Sequence, residues 1–102
     1  MDALRPFMIT AGLRIEKHPA EFLALLPHHR YRVDQLIRQG RILSYTVAAD
    51  RSTIWMTVLA TSETDAMDLL ASMPLAPLLS PDIQPALFFD SQAIRLPQLS
   101  PN

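Results

Sequence analysis

The feature that most constrains the fold is a pair of adjacent strand-like segments within residues 39–60. Residues 42–49 alternate between a more apolar and a more mixed set of side chains, and residues 52–60 repeat this alternation. A period of two is typical of β-strands with one buried face. Asp50 and Arg51 separate the segments without the Asn-Gly or Gly-X pair of a tight turn, so we predict a hairpin with a longer loop.

A long helix is predicted before the hairpin, in residues 19–39. Its apolar side chains recur every three or four positions, which is typical of a helix with one buried face. Pro19 suits the first helical turn, and Gly40 suits the position just past the end. Pro27 cannot donate a hydrogen bond to the carbonyl of Leu23, so we expect two helical pieces or one kinked helix.

A second, shorter helix is predicted after the hairpin. Ser62 is a suitable N-cap, and Asp65 stands three residues later, at the position of the acid in a capping box. Pro74 ends the helical pattern because its ring cannot continue a helix.

Two further strands are predicted, at residues 7–13 and 83–89, which are short apolar segments. Pro85 cannot donate to a neighbouring strand, so the last strand is expected to lie at a sheet edge or to start just after the proline. The order strand, helix, strand, strand, helix, strand is that of the ferredoxin-like fold. We therefore predict an α+β sandwich with βαββαβ order, a four-stranded antiparallel sheet and the first and third strands in its centre. One domain covers residues 1–91, and an irregular tail covers residues 92–102.

Composition limits the classes of function. The chain of 102 residues has a net charge of −1, so nothing favours binding to nucleic acid or to an anionic membrane. It contains no Cys, which removes thiolate metal sites and disulfides. No segment reaches the roughly 18 consecutive apolar residues of a membrane span. The first ten residues lack the pattern of a signal peptide, so we expect a cytoplasmic protein.

One face of the predicted sheet is left without helices. Large apolar side chains on such a face usually mark an interface or a ligand groove. We therefore expect a homo-oligomer, a dimer or higher, in which two sheets pack face to face and enclose a partly polar cavity.

His29 lies on the apolar side of the first predicted helix, where a neutral imidazole is able to act as a base or a ligand. The alternative is a partly buried histidine bonded to a backbone group. His28 and His29 point about 100° apart on a helix, so they cannot share one ion, and no third ligand follows at a suitable spacing. We predict no metal and no cofactor.

The hairpin carries several hydroxyl groups around the single Trp of the chain. Strand alternation places Ser44 and Thr46 on one face of the second strand and Tyr45 on the other. Trp55 and Thr57 share a face of the third strand. Such a set fits a cavity for a small apolar ligand with a carbonyl or carboxylate. The preference of strands for Thr and aromatic residues explains the presence of these side chains as well.

Asp50 and Arg51 are placed at the mouth of such a cavity. A carboxylate and a guanidinium suit the roles of a base and an anion clamp. Both residues are also explained as solvated residues of a turn. The chain has no glycine-rich phosphate loop and no GxSxG motif, so nucleotide binding and serine hydrolysis are not expected.

Residues 36–79, LIRQGRILSYTVAADRSTIWMTVLATSETDAMDLLASMPLAPLL, resemble the muconolactone isomerase family and its uncharacterised relatives. These belong to the dimeric α+β barrel group, which also includes YciI-like proteins. The shared features are the helix end, the hairpin with a tryptophan beyond it, and the next helix with its proline-rich exit, at Gly40, Ala49, Asp50, Arg51, Ser52, Trp55, Ser62, Glu63, Met73, Pro74 and Leu75. The likeness extends over about residues 20–89, and the first third is more similar to the uncharacterised relatives.

The resemblance implies a small cofactor-free isomerase that moves a proton on an unsaturated lactone or a related hydrophobic carbonyl compound. A base removes a proton next to the carbonyl, and donors hold the enolate. The expected catalytic residues are Asp50 or His29 as the base, with Arg51 and Tyr45 as anion stabilisers. The expected substrate-binding residues are Trp55, as an apolar wall, Ser44, Thr46 and Thr57.

Two other functions stay open at this level. A non-catalytic dimeric barrel that binds a small apolar ligand, or serves as an assembly partner, fits the uncovered sheet face. A cofactor-free monooxygenase of the same barrel group is the third alternative, because such sites also use Trp, Tyr and His.

Overall fold

The computed structural model describes residues 3–90, so the predicted tail at residues 92–102 lies outside the described residues. The elements are β1 (Arg5–Leu13), α1 (Pro19–Arg38), β2 (Ile42–Val47), β3 (Thr53–Ala60), α2 (Glu63–Ala71), a short 3₁₀ helix (Ala76–Leu78) and β4 (Leu79–Pro85). The strands form one antiparallel sheet in the order β2-β3-β1-β4. The predicted ferredoxin-like α+β fold, with the first and third strands in the centre, is confirmed.

The first helix is a single element. α1 continues through Pro27, so of the two expected alternatives the structure has one helix rather than two separate pieces. Its C-terminus is fixed by Gly40, which has a φ of 75°, a value that glycine adopts without strain. The amide of Arg41 then donates to the carbonyl of Leu36 at 2.9 Å, which closes the helix end and starts the hairpin.

The second helix begins as predicted. Ser62 accepts a hydrogen bond from the backbone amide of Asp65 at 3.0 Å. The Asp65 carboxylate in turn accepts from the backbone amide of Thr61 at 2.8 Å and lies 3.3 Å from the guanidinium of Arg41. The bond to Ser62 satisfies one of the amides that the first turn of a helix leaves free, and the bond from Thr61 holds the residue before the cap.

The hairpin contains one irregularity that decides which side chains face the helices. The pairing with β3 shifts between Ile42 and Ser44, so Leu43 is the extra residue of a β-bulge. As a result Ile42 and Tyr45 lie on the same face, although simple alternation assigns them to opposite faces. The loop spans residues 48–52, which agrees with the expectation of a longer connection.

The position of the last strand was predicted wrongly. β4 is Leu79–Pro85, whereas the apolar pattern indicated residues 83–89. The 3₁₀ helix ends at Leu78, immediately before the sheet, so strand pairing begins with Leu79 opposite Leu13. The strand is at an edge, as expected from its proline. Phe88 lies beyond the strand and is exposed.

The helices cover one face of the sheet. The buried core lies there and includes Ile9, Leu36, Met56 and Leu70. The opposite face has no covering element within residues 3–90, and Met8 and Trp55 on it are 45% and 41% exposed. The two faces of the sheet therefore offer two different environments for a site.

Candidate functional site

A cavity of about 600 Å³ lies between α1 and the β2–β3 hairpin, on the helix-covered side of the sheet. Its walls are mostly apolar and include Phe22, Leu26, Val33 and Ile54. Leu23, at the rim, is 67% exposed, so the cavity is open to solvent. Its volume and its apolar walls with few polar groups are typical of sites for small organic molecules.

His29 and Tyr45 form a hydrogen-bonded pair in the wall of this cavity. Nε2 of His29 lies 2.7 Å from the Tyr45 hydroxyl, and the backbone amide of Leu75 donates to Nδ1 of His29 at 3.3 Å. His29 is only 2% exposed. Burial lowers the pKa of His29 to about 4 and raises the pKa of Tyr45 to about 12. Both side chains are therefore neutral at pH 7.

Two arginines bring positive charge to the cavity. Arg30 comes from α1 and Arg51 from the hairpin loop. Within residues 3–90 neither guanidinium has an ion-pair partner. Arg51 has a φ of 64°, in the left-handed region that side chains other than glycine rarely occupy. Residues held in this way cluster at functional sites, because the surrounding structure must stabilise the unfavourable conformation.

The acidic side chain that lines the cavity, among the residues described, is Asp34. Its Oδ2 lies 2.8 Å from Nε of Arg38 one helical turn later. Asp50, one of the two residues predicted as the base, is not among the lining residues, whereas His29, the other, is. Oδ1 of Asp50 accepts hydrogen bonds from the Ser52 amide at 2.9 Å and the Ser52 hydroxyl at 2.6 Å, and these bonds lower the pKa of Asp50.

The four predicted substrate-binding residues lie on the other side of the sheet. Ser44 is paired with Thr57, and Thr46 with Trp55, so all four side chains point to the uncovered face. Thr57 is 2% exposed and donates to the sulfur of Met8 at 3.7 Å. The predicted catalytic and substrate-binding residues, which the sequence assigned to one cavity, therefore lie on two different faces of the sheet.

Of the predicted catalytic residues, the structure brings His29, Tyr45 and Arg51 to one cavity. Sequence reasoning missed Arg30 and Asp34, although both lie at helical spacing from the apolar stripe of α1 and were detectable in that way. The side chain of Leu75 did not indicate its contact with His29, because Leu75 contributes its backbone amide to that contact.

No three His, Asp or Glu side chains within residues 3–90 come close enough together to hold a metal ion. In the same part of the chain, neither helix is long and apolar enough to cross a membrane. Comparison of the chain with models of known protein families and with curated proteins gives no match.

Proposed function

We propose that the cavity is the active site of a small cofactor-free isomerase of the muconolactone isomerase type, which moves a proton on an unsaturated lactone or a related hydrophobic carbonyl compound. The observation that carries this proposal is the Tyr45 hydroxyl, held by the buried His29 in the wall of an apolar cavity. A positioned donor in a site of low polarity stabilises the negative charge that develops on a carbonyl oxygen during proton removal.

In this proposal Asp34 is the base, because it is the acidic residue among those that line the cavity. It takes a proton from the carbon next to the carbonyl, and the electrons of the broken C–H bond move to the carbonyl oxygen. Tyr45 donates a hydrogen bond to that oxygen, and Arg51 adds positive charge nearby. The proton then returns to another carbon of the conjugated system.

Turnover of muconolactone and of related unsaturated lactones, followed by absorbance, tests the enzymatic proposal. Tyr45→Phe is expected to lower kcat/KM about 10²-fold, as for removal of one donor to an oxyanion. Asp34→Asn is expected to abolish turnover. The matched controls are Tyr31→Phe and Asp68→Asn, since both residues are exposed and lie outside the cavity lining. No turnover above buffer contradicts the proposal.

The same assay tests Asp50, which the sequence indicated as the base alongside His29. Because Asp50 is exposed in the hairpin loop and bonded to Ser52, we expect Asp50→Asn to retain most of the turnover. A loss as large as that of Asp34→Asn would instead assign the base to Asp50.

One observation favours a second candidate, a non-catalytic protein that binds a small carbonyl compound. Asp34 is already engaged by Arg38 at 2.8 Å, which lowers its availability as a base. A binding protein is stabilised by its ligand, so its melting temperature rises with ligand concentration. A rise in melting temperature with 1-indanone, a small apolar ketone, together with no product from any lactone, favours this candidate.

We also infer a homodimer that forms through the uncovered face of the sheet. Met8 and Trp55 supply exposed apolar area there, and large exposed apolar patches usually mark interfaces. Size-exclusion chromatography with light scattering is the test. A monomer at micromolar concentration contradicts the inference.

A further inference from the structure

We propose that His29 is a positioning residue fixed in one neutral tautomer, which makes Tyr45 an obligate hydrogen-bond donor to whatever occupies the cavity. The ligand class that follows is a compound that presents a hydrogen-bond acceptor, such as a ketone or lactone carbonyl, at that point. The ligand class rests on the proposed function, because it requires that a small molecule enters the cavity. The tautomer of His29 does not rest on the proposed function.

The tautomer is set by the backbone of the segment after α2. The amide of Leu75 donates to Nδ1 of His29 at 3.3 Å. An amide N–H has no lone pair to offer, so Nδ1 must be the acceptor nitrogen and the ring proton must be on Nε2. Leu75 and His29 are 1% and 2% exposed, which leaves little access for water to replace this bond.

The direction of the next hydrogen bond follows from the tautomer. With its proton on Nε2, His29 donates to the Tyr45 oxygen across 2.7 Å. The hydroxyl proton of Tyr45 cannot point at His29 and needs another acceptor. Among the residues described, no other hydrogen bond of this hydroxyl is present.

The cavity supplies the place for that acceptor, since Tyr45 is part of its wall. A carbonyl oxygen satisfies the free O–H, whereas a ligand with only N–H donors leaves it without a partner. A hydrogen bond of this kind typically contributes between about 0.5 and 1.5 kcal/mol, which corresponds to about twofold to tenfold in affinity.

Nitrogen-detected NMR of the imidazole rings tests the tautomer without any ligand. At pH 7 we expect His29 to be neutral with its proton on Nε2, and we expect the same in Tyr45→Phe, because Leu75 determines the tautomer. His18 and His28 are exposed and serve as internal references. A proton on Nδ1, a charged ring, or a change of tautomer in Tyr45→Phe overturns the proposal.

Binding of 1-indanone and indole tests the ligand class. These bicyclic molecules are similar in size and shape, but the first has only an acceptor and the second only a donor. The wild type is expected to bind 1-indanone about twofold to tenfold more tightly than indole. Tyr45→Phe is expected to remove this preference, and Tyr31→Phe to retain it.

Two variants of His29 separate positioning from simple packing. His29→Leu has no donor for Tyr45 and is expected to reduce the preference, whereas the amide in His29→Gln is able to donate and is expected to restore it. Equal binding of 1-indanone and indole by the wild type overturns the ligand class. Binding of neither compound overturns the ligand class, while lactone turnover still decides the proposed function and the NMR result still decides the tautomer.

Discussion

His29 shows how a single buried residue links the site to stability. It is held neutral by burial, and its two ring nitrogens are both engaged, by Leu75 and Tyr45. The sequence indicated either a base or a histidine bonded to a backbone group, and the structure supplies the backbone bond. Its partner Tyr45 was among the expected anion stabilisers, but the contact between them depends on a β-bulge that the residues did not reveal.

The pKa of His29 predicts a pH dependence of stability. The folded pKa is about 4, and the unfolded pKa is near 6.5. Between these values the unfolded chain binds a proton that the folded chain does not, so the free energy of unfolding falls as the pH decreases from 6.5 towards 4. The loss amounts to roughly 3 kcal/mol.

Urea unfolding between pH 7.5 and pH 4 measures this effect. In His29→Gln this part of the pH dependence should disappear, and in His28→Gln it should remain, because His28 is exposed. A His29→Gln profile parallel to that of the wild type contradicts the account.

Arg51 gives a second prediction at this scale. Its φ of 64° is unfavourable for any residue with a Cβ and acceptable for glycine. We therefore expect Arg51→Gly to be more stable than Arg51→Ala by about 1 kcal/mol, although glycine is usually the less stable of the two. Chemical denaturation measures the difference, and a more stable alanine variant would show that the left-handed conformation is not maintained.

At the scale of elements, the sequence predicted what depends on local chemistry. The helix end at Gly40 and the cap at Ser62 depend on neighbouring residues only, and both are confirmed. The bulge at Leu43 and the start of β4 at Leu79 depend on pairing with distant strands, which periodicity along one segment does not contain. That is why simple alternation misplaced Ile42.

The cap of α2 is testable by substitution. Ser62→Ala removes the hydroxyl that accepts from the Asp65 amide and is expected to lower the free energy of unfolding by about 1 kcal/mol. Thr64→Ala, at an exposed position of the same helix, serves as the control and is expected to cause no loss. Equal losses in both variants would argue against a specific role of the cap.

At the scale of the whole molecule, the sheet separates two sets of residues that the sequence placed together. Tyr45 and Arg51 belong to the cavity under α1, whereas Trp55 and Thr46 lie on the uncovered face. Alternation correctly assigned Tyr45 and Trp55 to faces of their own strands. It did not show which of those faces the helices cover, since that depends on the packing of the complete fold.

The uncovered face predicts an effect on assembly. Trp55 is the single tryptophan of the chain and is 41% exposed in the protomer. If two sheets pack together, Trp55→Lys places a charge in the interface and is expected to shift the protein to a monomer, with Lys17→Gln as a surface control. Light scattering measures the mass, and an unchanged mass for Trp55→Lys contradicts an interface at this face.

Mapping the binding of 1-indanone on the protein by backbone NMR tests most directly whether the cavity under α1 is the functional site. A ligand in the cavity under α1 is expected to shift the amide signals of the cavity residues His29, Tyr45, Arg51 and Leu75. The amide signals of Thr10 and Asp82, on the uncovered face of the sheet, are expected to stay unchanged. In Tyr45→Phe the same cavity residues are expected to respond only at higher ligand concentration. Shifts confined to the uncovered face around Trp55, with none around Tyr45, would contradict the claim that this cavity is the functional site.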